Sequence, residues 1–265
     1  MKKQLTIQIA DPAGNITVFV LDPVPQKDYH HIANQLLQMK ALEAEQVGFV
    51  ALPQNGGEAR MEMMGGEFCG NATRSFGYLF SLRDPEKPET VGIEVSGAEG
   101  VLAVEIDHQK GTCATAMPLP LEIKALATGQ NEVWDCVVFD GIVHLIITAP
   151  PKEEKETEEI LDVLKKTFDC EACGIIFLEE KTITPVVYVR ETDSTIWESS
   201  CGSGSMACGV WYTQNKPDGI YDMQFKQPSS GFISVSVKIK QQKIIQCKMG
   251  GPVKVSEPRS VEIEL

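Results

Sequence analysis

The sequence predicts an α+β protein of two pseudo-symmetric lobes, each a curved, mostly antiparallel β-sheet or barrel wrapped around a central α-helix. Three observations lead there. Two cysteines stand in matching frames 132 residues apart, Cys69 in GGEFCGNATRSFG and Cys201 in WESSCGSGSMACG. Each Cys-Gly step is followed by small polar residues and then by a run that reads as helix. The surroundings repeat as well: Gly48-Phe49-Val50 and Gly174-Ile175-Ile176-Phe177 open strand-like segments upstream. Downstream, Ser96-Gly97 and Ser230-Gly231, 27 and 29 residues past the cysteines, lead into the alternating runs GVLAVEI and FISVSVKI. A strand, strand, Cys-helix, strand unit therefore occurs twice, and self-similarity at so long a period is a signal at the level of the fold.

Taken in order, segments 4–10 and 16–21 alternate like strands around the DPAGN turn. Pro25 then opens a helix through QKDYHHIANQLLQMK, with Ile32, Leu36 and Met39 at helical spacing. Strands follow near 46–52 and 58–64, then the first Cys-helix from about 69 to 82, stopped by the charged, Pro-containing RDPEKPE. Strands near 91–96, 100–106 and 112–117 close the first half, and MPLPLE around Pro118 and Pro120 reads as the linker. The second half restarts with strands near 133–139 and 142–148. A surface helix follows in PPKEEKETEEILDVLKKTF, with Ile160, Leu161, Leu164 and Phe168 on its apolar stripe and an acidic first turn that suits the helix dipole. Strands near 174–179 and 184–190, the second Cys-helix from about 201 to 214, and strands near 220–226, 232–239 and 244–249 complete it. The lobes are thus expected at 1–117 and 118–255, with a terminal strand at about 256–265 able to return to the first.

Composition narrows the function. At 265 residues the chain can fill two cores, and 43% hydrophobic content is ordinary for a globular protein. The apolar stretches are too short to cross a bilayer, and the N-terminus lacks the apolar core of a signal peptide, so a cytoplasmic location without membrane contact is expected. A net charge of −13 argues against nucleic acid and is compatible with a small cationic or zwitterionic partner; a homodimer is left open. Eight cysteines without a secretory signal read as reduced thiols. Cys170 and Cys173 form a C-x-x-C with no second pair at zinc-finger spacing, and Cys113, Cys136, Cys208 and Cys247 fall in apolar runs as core residues. His30, His31 and His108 are not spaced as ligands, and no metal is expected.

Taken singly, a free cysteine is most often a small buried hydrophobe. Two in matching frames, each at a helix N-terminus, read differently. Unpaired N–H groups and the partial positive charge there stabilise a thiolate and can hold a carboxylate beside it. An amino acid Cα–H is a very weak acid, so inverting that carbon needs a base on one face and an acid on the other, and two thiols supply both. The N–H groups of Gly70, Asn71, Gly202 and Ser203 are placed to hold the α-carboxylate, and no pyridoxal cofactor is required.

At PAGN (12–15), EQ (45–46), CGN (69–71) and CGSG (201–204) the chain resembles the diaminopimelate epimerase-like superfamily of cofactor-independent amino acid racemases, over essentially its whole length. The resemblance implies that fold and that activity. It also implies Cys69 and Cys201 as the acid/base pair, with Asn15, Gln46, Gly70, Asn71, Gly202 and Ser203 touching the substrate. His144, in GIVHLII, and Glu191 match residues that tune a thiol. The departures matter too. Diaminopimelate-specific members follow the glutamate with an arginine for the distal carboxylate, where this chain has Thr192; their asparagines are replaced by Ile142 and Gly174. Loss of a bidentate arginine disfavours a dicarboxylate substrate. PxGN, EQVGF, GxEFCGNAT and IWExSCGSG are similar to the histidine racemases of staphylopine-type metallophore pathways, which implies histidine as substrate. Glu45, Glu62, Glu67, Asp193 or Glu198 would then face the imidazole, although each is by frequency more often a surface charge. The alternatives are a diaminopimelate epimerase, a broader basic amino acid racemase, or a non-catalytic ligand-binding or thiol-redox protein using Cys170 and Cys173.

Overall fold

In the computed structural model, which describes residues 2–129 and 132–265, contacts group the chain into two units. One is Met1–Ala116 with Gly250–Leu265, and the other is Met117–Met249. The architecture is α+β, mostly strands.

The first unit begins with β1 (Lys2–Asp11) and β2 (Thr17–Val20), antiparallel across the PAGN turn, where Ala13 and Gly14 take φ of 76° and 107°. A single 3-10 turn, Gln26–Asp28, follows Pro25, so α1 (Tyr29–Gln38) starts four residues later than the proline suggests. α1 is the crossover to β3 (Gln46–Ala51), which lies parallel to β2. β4 (Ala59–Met63) returns antiparallel to β3, and α2 (Gly70–Arg83) crosses to β5 (Thr90–Val95), parallel to β4. β6 (Leu102–Asp107) and β7 (Thr112–Met117) continue antiparallel. Strands joined by a helical crossover are covered on both faces and so read as continuous apolar runs. In β2, Val18 and Val20 pack with Ile32 and Leu36 of α1, while Phe19 packs with Phe76 and Leu79 of α2.

The second unit repeats this wiring. β8 (Glu122–Gly129) pairs antiparallel with β9 (Glu132–Val138), and β9 with β10 (Ile142–Ile147). α3 (Glu154–Thr167) crosses to β11 (Ala172–Glu179), parallel to β10. β12 (Thr182–Val189) and the short β13 (Ser194–Trp197) form an added hairpin before α4 (Gly202–Thr213). α4 then crosses to β14 (Gly219–Lys226), which touches β12 in parallel and is followed by β15 (Phe232–Lys240) and β16 (Lys243–Pro252). α3 covers one face through Ile160, Leu161 and Leu164, and α4 fills the other with Met206 and Val210 against Phe225 and Val235. The chain then re-enters the first unit, where β17 (Lys254–Val255) and β18 (Arg259–Glu264) pair antiparallel with β1. Among the described residues no helix is long and apolar enough to cross a membrane.

α2 and α4 are buried nearly all round, as a helix must be when a sheet curls over it. Each carries a glycine eight residues past its cysteine, at the contact with the sheet. A Cβ on Gly77 would stand 2.6 Å from Val104 of β6, and one on Gly209 would stand 2.7 Å from Val235 of β15. Neither glycine needs an unusual φ; both are required by the closeness of helix and strand.

Candidate active site

Cys69 and Cys201 are the N-cap residues of α2 and α4, with φ and ψ of −127° and 110° in one and −124° and 109° in the other. Each sulfur takes the place of the usual Ser or Asp oxygen and accepts the third N–H of its helix. Ala72 N donates to Cys69 Sγ at 3.5 Å, and Gly204 N to Cys201 Sγ at 3.3 Å. A hydroxyl four residues on steadies each cap: Thr73 Oγ1 donates to Cys69 O at 2.8 Å and Ser205 Oγ to Cys201 O at 2.7 Å. The small residues after each cysteine thus turn the chain into a helix and leave a thiol at its positive end.

Around Cys69, Gln46 Nε2 donates to Sγ at 3.3 Å and also to Asn15 Oδ1 and Thr17 Oγ1, each at 2.8 Å. Asn15 Nδ2 in turn donates to Glu45 Oε2 at 3.1 Å. Asn15, Gln46, Gly70 and Asn71 are thereby gathered at one helix end. Asn71 is buried, with its Oδ1 engaged by the Arg74 guanidinium. Burial pushes the Cys69 thiol up from its ordinary range and Glu67 adds to this, while the N–H donors of Ala72, Gln46 and Asn71 pull it down. The lowering expected from the helix N-terminus is therefore outweighed by desolvation in the free protein.

Cys201 is set among different neighbours. Its backbone N–H donates to Gln227 Oε1 at 2.9 Å, and Gln227 Nε2 donates to Ser205 Oγ at 3.0 Å, which pins the cap from β14's end. Ser203 Oγ lies 3.6 Å from Cys201 Sγ and 2.9 Å from His144 Nε2, so His144 reaches the thiol through Ser203. His144 is fully buried, and desolvation pushes it down to about 3, which keeps the imidazole neutral. Its Nδ1 has no hydrogen-bond partner among the described residues. The thiol is pushed well up, first by burial and then by the charge and hydrogen bond of the Glu198 carboxylate.

Of the sequence-derived site residues, the structure gathers Asn15, Gln46, Gly70 and Asn71 around Cys69, and His144, Gly202 and Ser203 around Cys201. It does not bring Glu191 to the thiol. Glu191 and Thr192 sit exposed in the turn of the β12–β13 hairpin, where Thr192 Oγ1 meets Ser194 Oγ at 2.7 Å. The carboxylate at Cys201 belongs instead to Glu198, which follows β13 directly. Of the other acidic candidates, Glu62 is tied to Arg60 at 2.8 Å and Asp193 to the Tyr188 hydroxyl at 2.9 Å. Arg74 and Gln227 were not singled out from sequence. Outside this site, Cys170 and Cys173 are free thiols with sulfurs 3.5 Å apart; their mutual hydrogen bond lowers Cys170 and raises Cys173.

The fold is shared with solved structures of low sequence identity. A hydroxyproline epimerase from Agrobacterium vitis with bound trans-4-hydroxy-L-proline superposes with a TM-score of 0.69 at 11% identity, over 99% of this chain and 93% of that one. A putative phenazine biosynthesis PhzC/PhzF protein from Clostridium difficile gives 0.66 at 15% identity, over 98% and 100%. Likeness at this identity defines the fold class, and within it a cysteine heads the central helix of each of two equivalently wired units. Sequence comparison takes this further. Residues 6–258 match the model described as histidine racemase CntK N-terminal domain. The histidine racemase of Fusobacterium nucleatum subsp. nucleatum is 34% identical over 218 residues, 78% of this chain and 80% of that protein. That of Staphylococcus aureus is 28% identical over 245 residues, 87% and 88% of the two chains. The chain belongs to the histidine racemase family.

Proposed function

We propose that the protein interconverts L- and D-histidine without a cofactor, by a two-base mechanism in which Cys69 and Cys201 act on opposite faces of Cα. The observation that carries this reading is the duplicated cap: two thiols, one per unit, each at the positive end of a buried helix in the same backbone conformation. One sulfur removes the Cα proton as the other delivers a proton to the far face, and their roles exchange with the handedness of the substrate. The first-turn N–H groups of Gly70, Asn71, Gly202 and Ser203 hold the α-carboxylate and the charge that spreads onto it as the proton leaves. Asn15 and Gln46 fix the Cys69 side. His144 acts on Cys201 only through Ser203. The names of the similar proteins support histidine as the substrate, and reduced cysteines fit a cytoplasmic place of action.

The test follows either enantiomer of histidine in heavy water, reading Cα–H loss by NMR and handedness by chiral chromatography. Both are expected to change together. Absence of Cα exchange with every amino acid in a panel would end the proposal, and faster turnover of LL-diaminopimelate than of histidine would reassign the substrate. Replacing Cys69 or Cys201 by Ser is expected to abolish racemisation, whereas Cys170→Ser is expected to leave it intact.

A further inference from the structure

The C-x-x-C of the sequence, Cys170 and Cys173, has no part in the proposed racemisation, yet the fold brings its thiols together. Cys170 lies in the bend between α3 and β11, and Cys173 is the second residue of β11. The backbone of that bend is held by its neighbours. Arg190 Nε donates to Cys170 O at 2.8 Å, Arg190 N to Glu171 O at 2.8 Å, and Ala172 N to Gly141 O at 3.0 Å. The two sulfurs are thereby kept 3.5 Å apart, against about 2.05 Å in a disulfide. Cys173 is packed in the core with Leu161 and Leu164 of α3, so the remaining approach falls to Cys170, whose S–H otherwise donates to Ala172 O at 3.0 Å.

The two sulfurs differ in what can reach them. Cys170 is half-buried and lines a cavity of about 450 Å³ with Phe168, Asp169, Glu171 and Arg190, whereas Cys173 is fully buried. A reagent from solution therefore meets Cys170 first, and Cys173 only through it. Cys170 is also the thiol whose ionisation is eased. The hydrogen bond from Cys173 holds it below its ordinary range against the effect of burial, with help from the Arg190 charge. Two sulfurs alone do not make a metal site, and among the described residues no group of three or more His, Cys, Asp or Glu side chains is placed to hold an ion.

We propose that Cys170 and Cys173 form a thiol–disulfide exchange site whose co-substrate is a low-molecular-weight disulfide such as cystine. Cys170 gives up its proton and attacks one sulfur of the small disulfide; a mixed disulfide forms, and the other half leaves as a thiolate that takes a proton. Cys173 then loses its proton and attacks the Cys170 sulfur, which closes the Cys170–Cys173 bond and expels the second half as a thiol. The protein has lost two electrons and two protons, and one small disulfide has become two small thiols. Excess small thiol runs the same steps backwards. The bond closes on the face of β11 that packs on α3, whereas the neighbouring Gly174 meets His144 on the opposite face. Oxidation of the pair therefore leaves His144 in place and spares racemisation, a consequence that rests on the racemase reading above.

The experiment incubates the reduced full-length protein with cystine in the absence of air, stops exchange with acid, alkylates the remaining thiols and maps the cysteines by peptide mass spectrometry without reduction. A Cys170–Cys173 bond is expected, and excess cysteine should reopen it. In Cys173→Ser the resolving thiol is gone, so a cysteinyl group should stay bound to Cys170. In Cys170→Ser, Cys173 should remain a free thiol. Absence of the Cys170–Cys173 bond in the parent would overturn the proposal, as would a cysteinyl group held by Cys173 in Cys170→Ser; both results stand even if Cys173→Ser does not fold. Histidine racemisation is read on the same samples, and the parent and Cys170→Ser, treated alike, are expected to turn over equally. A loss confined to the parent would overturn the separation of the pair from His144. Formation of the bond in a protein that racemises nothing when reduced refutes the racemase reading alone, whereas racemisation without the bond refutes the exchange site alone.

Discussion

His144 and Phe19 hold equivalent places in the two units. Each lies on the leading strand of a parallel pair, opposite a glycine: Phe19 faces Gly48 and His144 faces Gly174. A Cβ on Gly174 would come 2.2 Å from His144 Nδ1, so the glycine exists to admit the ring. Gly174→Ala is therefore expected to dislodge His144 from Ser203 and cut kcat by about tenfold or more while the protein still folds; unchanged kcat would show the contact to be idle. Burial holds His144 at about 3, against about 6.5 in the unfolded chain, so the stability it contributes is full above pH 6.5 and is lost as pH falls from there toward 3. Its ring protons should show no titration by NMR between pH 5 and 8, and a midpoint near 6.5 would contradict the burial. The two cysteines and His144 were legible because motif strings carry them. Arg74 was not, since an arginine within GNATRSFG has the spelling of a surface charge and its burial depends on Pro12, Gly251 and Pro252, far away in sequence. The resemblance assigns a thiol-tuning carboxylate to Glu191 and leaves Glu198 among the candidates for the imidazole; that β13 carries Glu198 to the Cys201 sulfur depends on a hairpin turn the string does not display.

At the scale of elements, the cysteine caps separate chemistry from structure. Serine is a good N-cap, so Cys69→Ser and Cys201→Ser should be inactive yet nearly as stable as the parent, whereas the alanine variants should be inactive and about 1 kcal/mol less stable in urea unfolding. Equal stability of the serine and alanine forms would mean the sulfur does not cap. The glycines under the helices test packing in the same way. Gly209→Ala gains helix propensity of up to about 1 kcal/mol but forces its methyl onto Val235, and a net loss of about 1–3 kcal/mol is expected. A stabilised variant would show that helix and strand can part. Both Cys-helices and both crossover helices were readable from apolar spacing and Pro or Gly punctuation. β8 was not expected, because its run EIKALATG alternates weakly after two prolines, and β13 is only four residues long.

For the molecule as a whole, buried thiols tie stability to alkaline pH. Desolvation pushes Cys136 and Cys247 up to about 12 and raises Cys113 as well, whereas unfolded thiols ionise near about 8.5. The stability gained from keeping them neutral is complete below pH 8.5 and declines as pH rises from there toward 12. Urea midpoints are expected to fall steadily above pH 9, less steeply in Cys136→Ala than in the parent measured alongside; a flat profile would refute this. The duplicated wiring was legible from the repeated frames. The place where the chain re-enters its first unit was less so, because β16 runs on without a break from Met249 to Gly250, on either side of the division. That re-entry bears on synthesis at the ribosome. Residues 117–249 form an uninterrupted stretch, so the second unit can close on itself as it emerges. The first, though translated earlier, lacks its last strands, and Arg74 two of its carbonyl acceptors, until residues 250–265 have left the exit tunnel. The newborn chain can therefore carry a finished Cys201 helix cap while Arg74, behind the Cys69 cap, still waits for the carbonyls of Gly251 and Pro252.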